Sequence, residues 1–504
     1  MKSIYESICE NIKDGLLAED FVLPPEDKES ILWAPGAMDG VYIYHMGHPD
    51  TEKSALNKME NAINSISNGD FTQGERVFYE LTKKNSAISL VDDVQRYIID
   101  NQDKLNPQNL LTFAITVVTE STHAECVKIG LEILELFDSS QEGIREIIKN
   151  IGLFDEFTIF AAWCMRQWDN GNEEIFKLAK KVHGWGKIHA IELLEPDTEE
   201  IREWLLTDGV HNGVMRAYSA LTCWNKSAAE KILFNKPTLA EFKGIADIFD
   251  GLLDEGPVNG ISELNDAEKV LLRFLEIAPE YELTADEYNV ILTIKEWAED
   301  EEEGNMPDVA EKATAILDSS TCRKIVEKAL NDGEAIRLAK EMNIPFRKQL
   351  MECLNNDFDR HYYRCGDLME EEEYVEPVLK LFAEKLPLAE MEGESQDDLG
   401  FGKDFEKYNK LEFIMYELEE RPLVGMKFMI AGLRSPVIRN RNRALSNLQK
   451  WVELTGKPLR ELSPELYKEV KTLKTKEVSE RPMEMILPLL EGRTVFKDDD
   501  DEEY

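Results

Sequence analysis

The chain has 504 residues, 43% hydrophobic and 31% charged, and its 58 Lys+Arg against 100 Asp+Glu give a formal net charge of −42. Affinity for nucleic acid rests on neutralising phosphates with Lys and Arg, so neither nucleic acid nor an anionic membrane surface is an expected partner. No run reaches the roughly 18 apolar residues of a membrane span, the opening MKSIYESICENIKDG holds no apolar signal segment, and the seven scattered cysteines include no C-x-x-C pair; a reduced, cytoplasmic chain is expected.

Residues 1–20 carry Ile4, Ile8, Ile12 and Leu16 at four-residue spacing, which predicts an amphipathic helix. From 21 to 50 the texture changes. Pro24, Pro25, Pro35, Gly36, Gly40, Gly47 and Pro49 forbid a long helix, and WAPGAMDGVYIYHM alternates as one short strand would. Residues 1–50 therefore read as a helix plus an irregular segment, the least repeat-like part of the chain and a place for something specific. There His45, His48 and Asp50 put two imidazoles and a carboxylate within six residues, donors suited to zinc or iron. The spacing matches no helical metal motif, so ordinary loop residues are the preferred reading.

Helical texture resumes over 51–83 and 89–101, with Gly69 and Gly74 marking turns, and Asn106-Pro107 opens LLTFAITVVTE. Three segments then superimpose: 158–182, 187–209 and 214–235. FTIFAAWCM, GKIHAIELL and GVMRAYSAL share a bulky-small-bulky pattern, each followed by a polar turn and a second amphipathic piece, EEIFKLAKKV, TEEIREWLL or AAEKILF. A period of about 27–29 residues suits stacked helix pairs. Thr122 with Glu125, Asp197 with Glu200, Ser227 with Glu230 and Thr284 with Glu287 match capping boxes at expected helix starts. A loop over 255–264 is followed by helices at 266–277, 284–299, 307–317, 322–330, 333–342 and 345–354. The array is taken to span 51–389. Residues 390–403, EMEGESQDDLGFGK, read as a flexible loop or hinge, 404–497 as further helical repeats, and 498–504 as a disordered acidic tail.

His183-Gly-Trp-Gly-Lys-Ile-His189 opens the middle repeat. Trp185 and His189 serve either as stacking platform and base in a groove or, the preferred reading, as packing groups beside a glycine turn. The eight tryptophans read as core as a set. In RSPVIRNRNRAL, Ser435 and Pro436 predict a helix start; Arg441 falls in the apolar stripe and needs an anionic partner, internal or bound. Arg439 and Arg443, four apart on one face, are assigned to recognition of an acidic ligand.

The repeats resemble the HEAT/armadillo class over 155–235 and again over 422–454, where AGLRSPVIRNRNRALSNLQKW looks like the second half of a repeat. This implies an all-α fold, an α-α superhelix of antiparallel helix pairs. Residues 184–226, beginning GWGKIHAIELLEPDTEEIREWLLTDG, resemble bacterial proteins named limonene hydroxylase, which implies NAD(P)H- and oxygen-dependent monoterpene oxidation with no catalytic residue carried over. The chain shows no G-x-G-x-x-G, P-loop, G-x-S-x-G or H-E-x-x-H. The favoured expectation is a scaffold that binds a protein or peptide partner on its concave face, with no cofactor and no catalysis; the alternative is the monooxygenase.

Overall fold

The computed structural model describes residues 2–23, 33–47, 51–256, 258–300, 302, 304–400, 402 and 405–492. Nearly all of the regular secondary structure among the described residues is helical, so the fold is all-α. The chain forms two compact units, Met1–Ser319 and Ser320–Tyr504.

The first unit begins with α1 (Ile4–Glu10), capped by a reciprocal Ser3–Glu6 pair. The single helix expected over 1–20 stops there. Asp14 and Gly15 both take positive φ (52° and 77°), closing a two-residue turn between β1 (Ile12–Lys13) and β2 (Leu16–Leu17). Asp-Gly in a two-residue hairpin favours this geometry and outweighs the four-residue apolar spacing. A short helix α2 (Ala37–Val41) follows, continued by a turn of π-helix at Tyr42–Met46. The strand expected in WAPGAMDGVYIYHM is therefore absent: Gly36, at φ 74°, starts a helix instead.

Then come α3 (Lys53–Ser67), α4 (Phe71–Thr82), α5 (Ala87–Asp100), α6 (Pro107–Glu120), α7 (Ala124–Glu135), α8 (Glu142–Ile151), α9 (Thr158–Arg166), α10 (Gly171–Ala179), α11 (Gly184–Leu193), α12 (Glu199–Thr207), α13 (Ala217–Ser227), α14 (Ala229–Phe234), α15 (Leu239–Leu252), α16 (Ala267–Ile277), α17 (Ala285–Glu299) and α18 (Pro307–Leu317). Helices α3, α5, α7, α9, α11, α13, α15 and α17 each pack against the next in a front layer, and the alternate helices back them. The three superimposed sequence segments are the pairs α9/α10, α11/α12 and α13/α14. Small residues let the helices approach: a Cβ at Gly244 of α15 would meet the Leu206 carbonyl of α12 at 2.2 Å.

In the second unit, α19 (Ser320–Ala329), α20 (Ile336–Glu341), α21 (Arg347–Asn356), α22 (Phe358–His361), α23 (Cys365–Met369) and α24 (Glu372–Lys385) precede α25 (Glu406–Tyr416), α26 (Met426–Leu433), α27 (Ile438–Thr455), α28 (Leu459–Leu462), α29 (Pro464–Leu473) and α30 (Glu480–Glu491). α27 is the hub, packing against α25, α26, α28 and α30. Trp451 on it is fully buried and donates Nε1–H to the Leu418 carbonyl at 2.9 Å. The stretch expected as a hinge is stitched to this hub: Gly393 N–H bonds the Arg434 carbonyl, Gln396 N–H that of Pro436, and Ile438 N–H that of Asp398. The expected acidic tail, 498–504, lies outside the described residues. The seven cysteines are free thiols, and no helix among the described residues is long and apolar enough to cross a membrane.

Candidate functional site

Residues 33–47, which share nothing with the repeats, lie against α7, α11, α13 and the turn before α9. Gly36 N–H donates to Glu156 Oε2 at 2.7 Å. Gly40 sits directly on Trp185, where an added Cβ would meet the indole at 2.2 Å. The Tyr44 ring lies parallel to His189, with centroids 6.5 Å apart, and close to Trp185 and Tyr218. His45 shares a hydrogen bond with the Tyr218 hydroxyl at 2.8 Å. Trp185 and His189 are thus brought together with two tyrosines that sequence reading did not assign to them.

Beneath this aromatic cluster is a buried charge cluster. Asp39 is fully buried and its Oδ2 lies 2.9 Å from Lys128 Nζ, itself buried in the middle of α7. The same ammonium meets Glu125 at 2.7 Å and Glu156 at 2.5 Å. Glu132, one turn along α7, is fully buried and neither carboxyl oxygen has a hydrogen-bond partner among the described residues. Burial holds Glu132 well above the ordinary carboxyl range, with the Glu125 and Asp39 charges adding to it. Burial alone would lower Lys128, but Asp39, Glu125 and Glu156 outweigh it and keep the ammonium charged.

The glycines of HGWGKIH have a specific reason. Asp155 enters the first turn of α11 and accepts the N–H groups of Gly186 and His183, an anion at a helix N-terminus. A Cβ at Gly186 would stand 2.6 Å from Asp155 Oδ1 and 2.7 Å from Thr158 Oγ1. Burial still pushes Asp155 up to about 7 against those two N–H bonds, and burial likewise pushes Asp39 up to about 7. Both folded values exceed the unfolded one of about 3.9. Between those limits the folded chain holds protons that the unfolded chain releases. The stability they contribute is full below about pH 4 and is lost as pH rises through about 7. Melting of the first unit is therefore expected at lower temperature at about pH 8 than at about pH 6, and Asp155→Asn should flatten that dependence. A melting temperature independent of pH over this range contradicts it.

Two cavities open on either side of Tyr44, and Ile43, Tyr44 and Glu192 line both. One, of about 590 Å³, runs toward Tyr218, Thr222 and Asn259. The other, of about 680 Å³, is walled by α5, α9 and α11 and includes His189. His189 is 2% exposed, and burial lowers it to about 4, so its ring is neutral. The Gly36 backbone bonds the ring, while Nε2 is buried without a hydrogen-bond partner.

The remaining sequence candidates lie elsewhere. His48 and Asp50 are outside the described residues, and no group of three or more His, Cys, Asp or Glu among the described residues is placed to hold a metal ion. In the second unit Arg441 is fully buried against Glu477, equally buried, at 2.7 Å. Arg439 reaches Glu412, Asn409 Oδ1 at 2.7 Å and the carbonyls of Leu399 and Gly400. Arg443 covers the Tyr416 ring at 3.4 Å, with Glu419 at 3.6 Å. The guanidinium groups that sequence reading assigned to recognition are thus turned onto the chain itself.

Lys128, Asp39, Glu132, Asp155 and Tyr44 escaped sequence reading. One signal was available: Lys128 and Glu132 lie inside CVKIGLEIL, an otherwise apolar stretch whose residues are all buried. A charge at such positions demands a partner from elsewhere in the chain. Comparisons with protein families, with curated proteins and with solved structures found no match.

Proposed function

We propose that the chain is a helical-repeat scaffold of the HEAT/armadillo kind that takes a protein or peptide segment on the front layer of its first unit. It works in the cytoplasm and without catalysis of its own. The observation that carries this reading is the seating of residues 33–47. A non-repeat segment is held by a buried ion pair to Lys128 and by aromatic packing on Trp185, His189 and Tyr218. Repeat proteins bind by offering a continuous helix layer to such segments. The partner chemistry it implies is an acidic side chain followed five residues later by an aromatic one, as in Asp39 and Tyr44.

The test uses Gly40→Leu, which collides with Trp185 and lifts the internal segment. A labelled peptide of the sequence 33–47 is expected to bind this variant with one-to-one stoichiometry and to be refused by the parent chain. Binding to neither chain, or equally to both, rejects the reading. The monooxygenase alternative rests on the resemblance of residues 184–226, and consumption of NADPH with limonene by the purified chain would reverse the ranking.

A further inference from the structure

The larger cavity is chemically uneven. Its wall is apolar and aromatic, with Ile88, Ile159, Trp163 and Leu193 facing Tyr44. Its charged groups are Asp92, Asp93, Glu192 and a single Arg96. Arg96 pairs with Asp93 at 3.1 Å, and Thr51 donates to the same carboxylate at 2.7 Å. Asp92 and Glu192 remain at the exposed rim, and neither carboxylate forms an ion pair among the described residues: the Glu192 side chain accepts the Thr222 hydroxyl, while the Lys226 ammonium is bound to the Glu192 carbonyl at 2.7 Å and to those of Ile191 and Leu194. At the buried end stands His189, three residues before Glu192 and on the same face of α11. With its ring N–H given to the Gly36 carbonyl, Nε2 presents a lone pair with no donor. A buried acceptor left empty is costly, and the volume of about 680 Å³ is in the range of small-molecule sites.

We propose that this cavity binds a small organic amine with a flat aromatic body, its inner end donating an N–H to His189 Nε2 and its protonated nitrogen held at the rim by Glu192 and Asp92. Trp163 and Tyr44 supply the faces on which the body stacks. The inner bond sets orientation, because a ligand without a donor leaves Nε2 unpaired. The rim carboxylates set the sign of charge. This site does not depend on whether a peptide partner exists.

The probe is tryptamine, titrated calorimetrically into the full chain, beside 1-methyltryptamine, which lacks the ring N–H, and indole-3-propionate, which reverses the charge. Tryptamine is expected to bind about tenfold more tightly than 1-methyltryptamine, and indole-3-propionate not measurably. Glu192→Gln should weaken tryptamine by roughly two- to fivefold, as befits an exposed ion pair, and leave the methylation effect in place. His189→Phe should erase the difference between tryptamine and its methyl derivative. Ile159→Trp, which fills the cavity, should abolish binding. The proposal is overturned if tryptamine does not bind at millimolar concentration, if the anion binds as well as the amine, or if His189→Phe preserves the discrimination. Should a variant lower the melting temperature, the ranking of the three probes on the parent chain still decides.

Discussion

Replacing Glu477 with Ala is expected to destabilise the second unit by about 3–5 kcal/mol, the cost of stripping one partner from a buried ion pair. Arg441 and Glu477 both have fully buried side chains. The guanidinium makes one bond for each of its five N–H groups: Nε and Nη2 to Glu477 at 2.7 and 2.9 Å, Nη1 to the Ser435 and Pro436 carbonyls at 3.1 and 2.7 Å, and Nη2 to the Gln396 carbonyl at 2.8 Å. Glu477 also accepts the N–H groups of Val478 and Ser479, both at 3.0 Å. Removing the carboxylate leaves a cation that cannot lose its proton and a turn without its acceptor. Arg441→Met should cost less, because Glu477 keeps the Val478 and Ser479 N–H groups as partners. The double change Arg441→Met with Glu477→Met should recover much of the loss, since apolar groups of similar volume can replace a buried pair. Urea unfolding followed by hydrogen exchange of the α27 amides reads all three. A loss below about 1 kcal/mol for Glu477→Ala would place this pair energetically among surface bridges.

That pair also shows what the sequence could and could not convey. Arg441 inside the stripe of Val437, Ala444, Leu445 and Leu448 was readable as a buried cation needing an anion. Glu477, 36 residues further on, was one acid among many. The helix start at Ser435-Pro436 was misplaced for the same reason. Their carbonyls are turned onto Arg441, and Ile438 N–H is bonded to Asp398, so α27 begins only at Ile438. Capping boxes behaved alike. Thr284 with Glu287 forms one, but Glu125 is drawn away to the Ala87 N–H and to Lys128, leaving His123 as the cap of α7. Thr198, not Asp197, caps α12, and Ala228 in a left-handed conformation stands where Ser227 was expected. Local periodicity located the pairs α9/α10, α11/α12 and α13/α14 because their apolar stripes are set by neighbours close in sequence. The seating of 33–47 joins residues as far apart as His45 and Tyr218. No local pattern records such a pairing.

Lys128→Met is expected to have a comparable effect in the first unit, about 3–5 kcal/mol, and to release the 33–47 segment. Three carboxylates converge on this ammonium as ion pairs, from Asp39, Glu125 and Glu156, at 2.9, 2.7 and 2.5 Å. A fourth, Glu132, is buried beside them. Without the cation, Asp39 has no compensating charge in a site from which water is excluded, so it must protonate or leave. Leaving carries Gly36, Gly40 and Tyr44 away with it and opens Trp185 and His189 to solvent. Asp39→Asn should be milder, because the part-exposed Glu125 and Glu156 still balance the charge of the ammonium. The two substitutions also differ in pH dependence. Burial raises Asp39 to about 7 and the Lys128 charge opposes that rise, so the loss in Lys128→Met should be smallest in acid and grow as pH rises through the range where Asp39 ionises. Thermal melting at a series of pH values measures the stability, and chymotrypsin cleavage after Tyr42 and Tyr44 reports release of the segment. A loss that is constant with pH, or cleavage no faster in Lys128→Met than in the parent, would mean that Lys128 does not hold the segment in place.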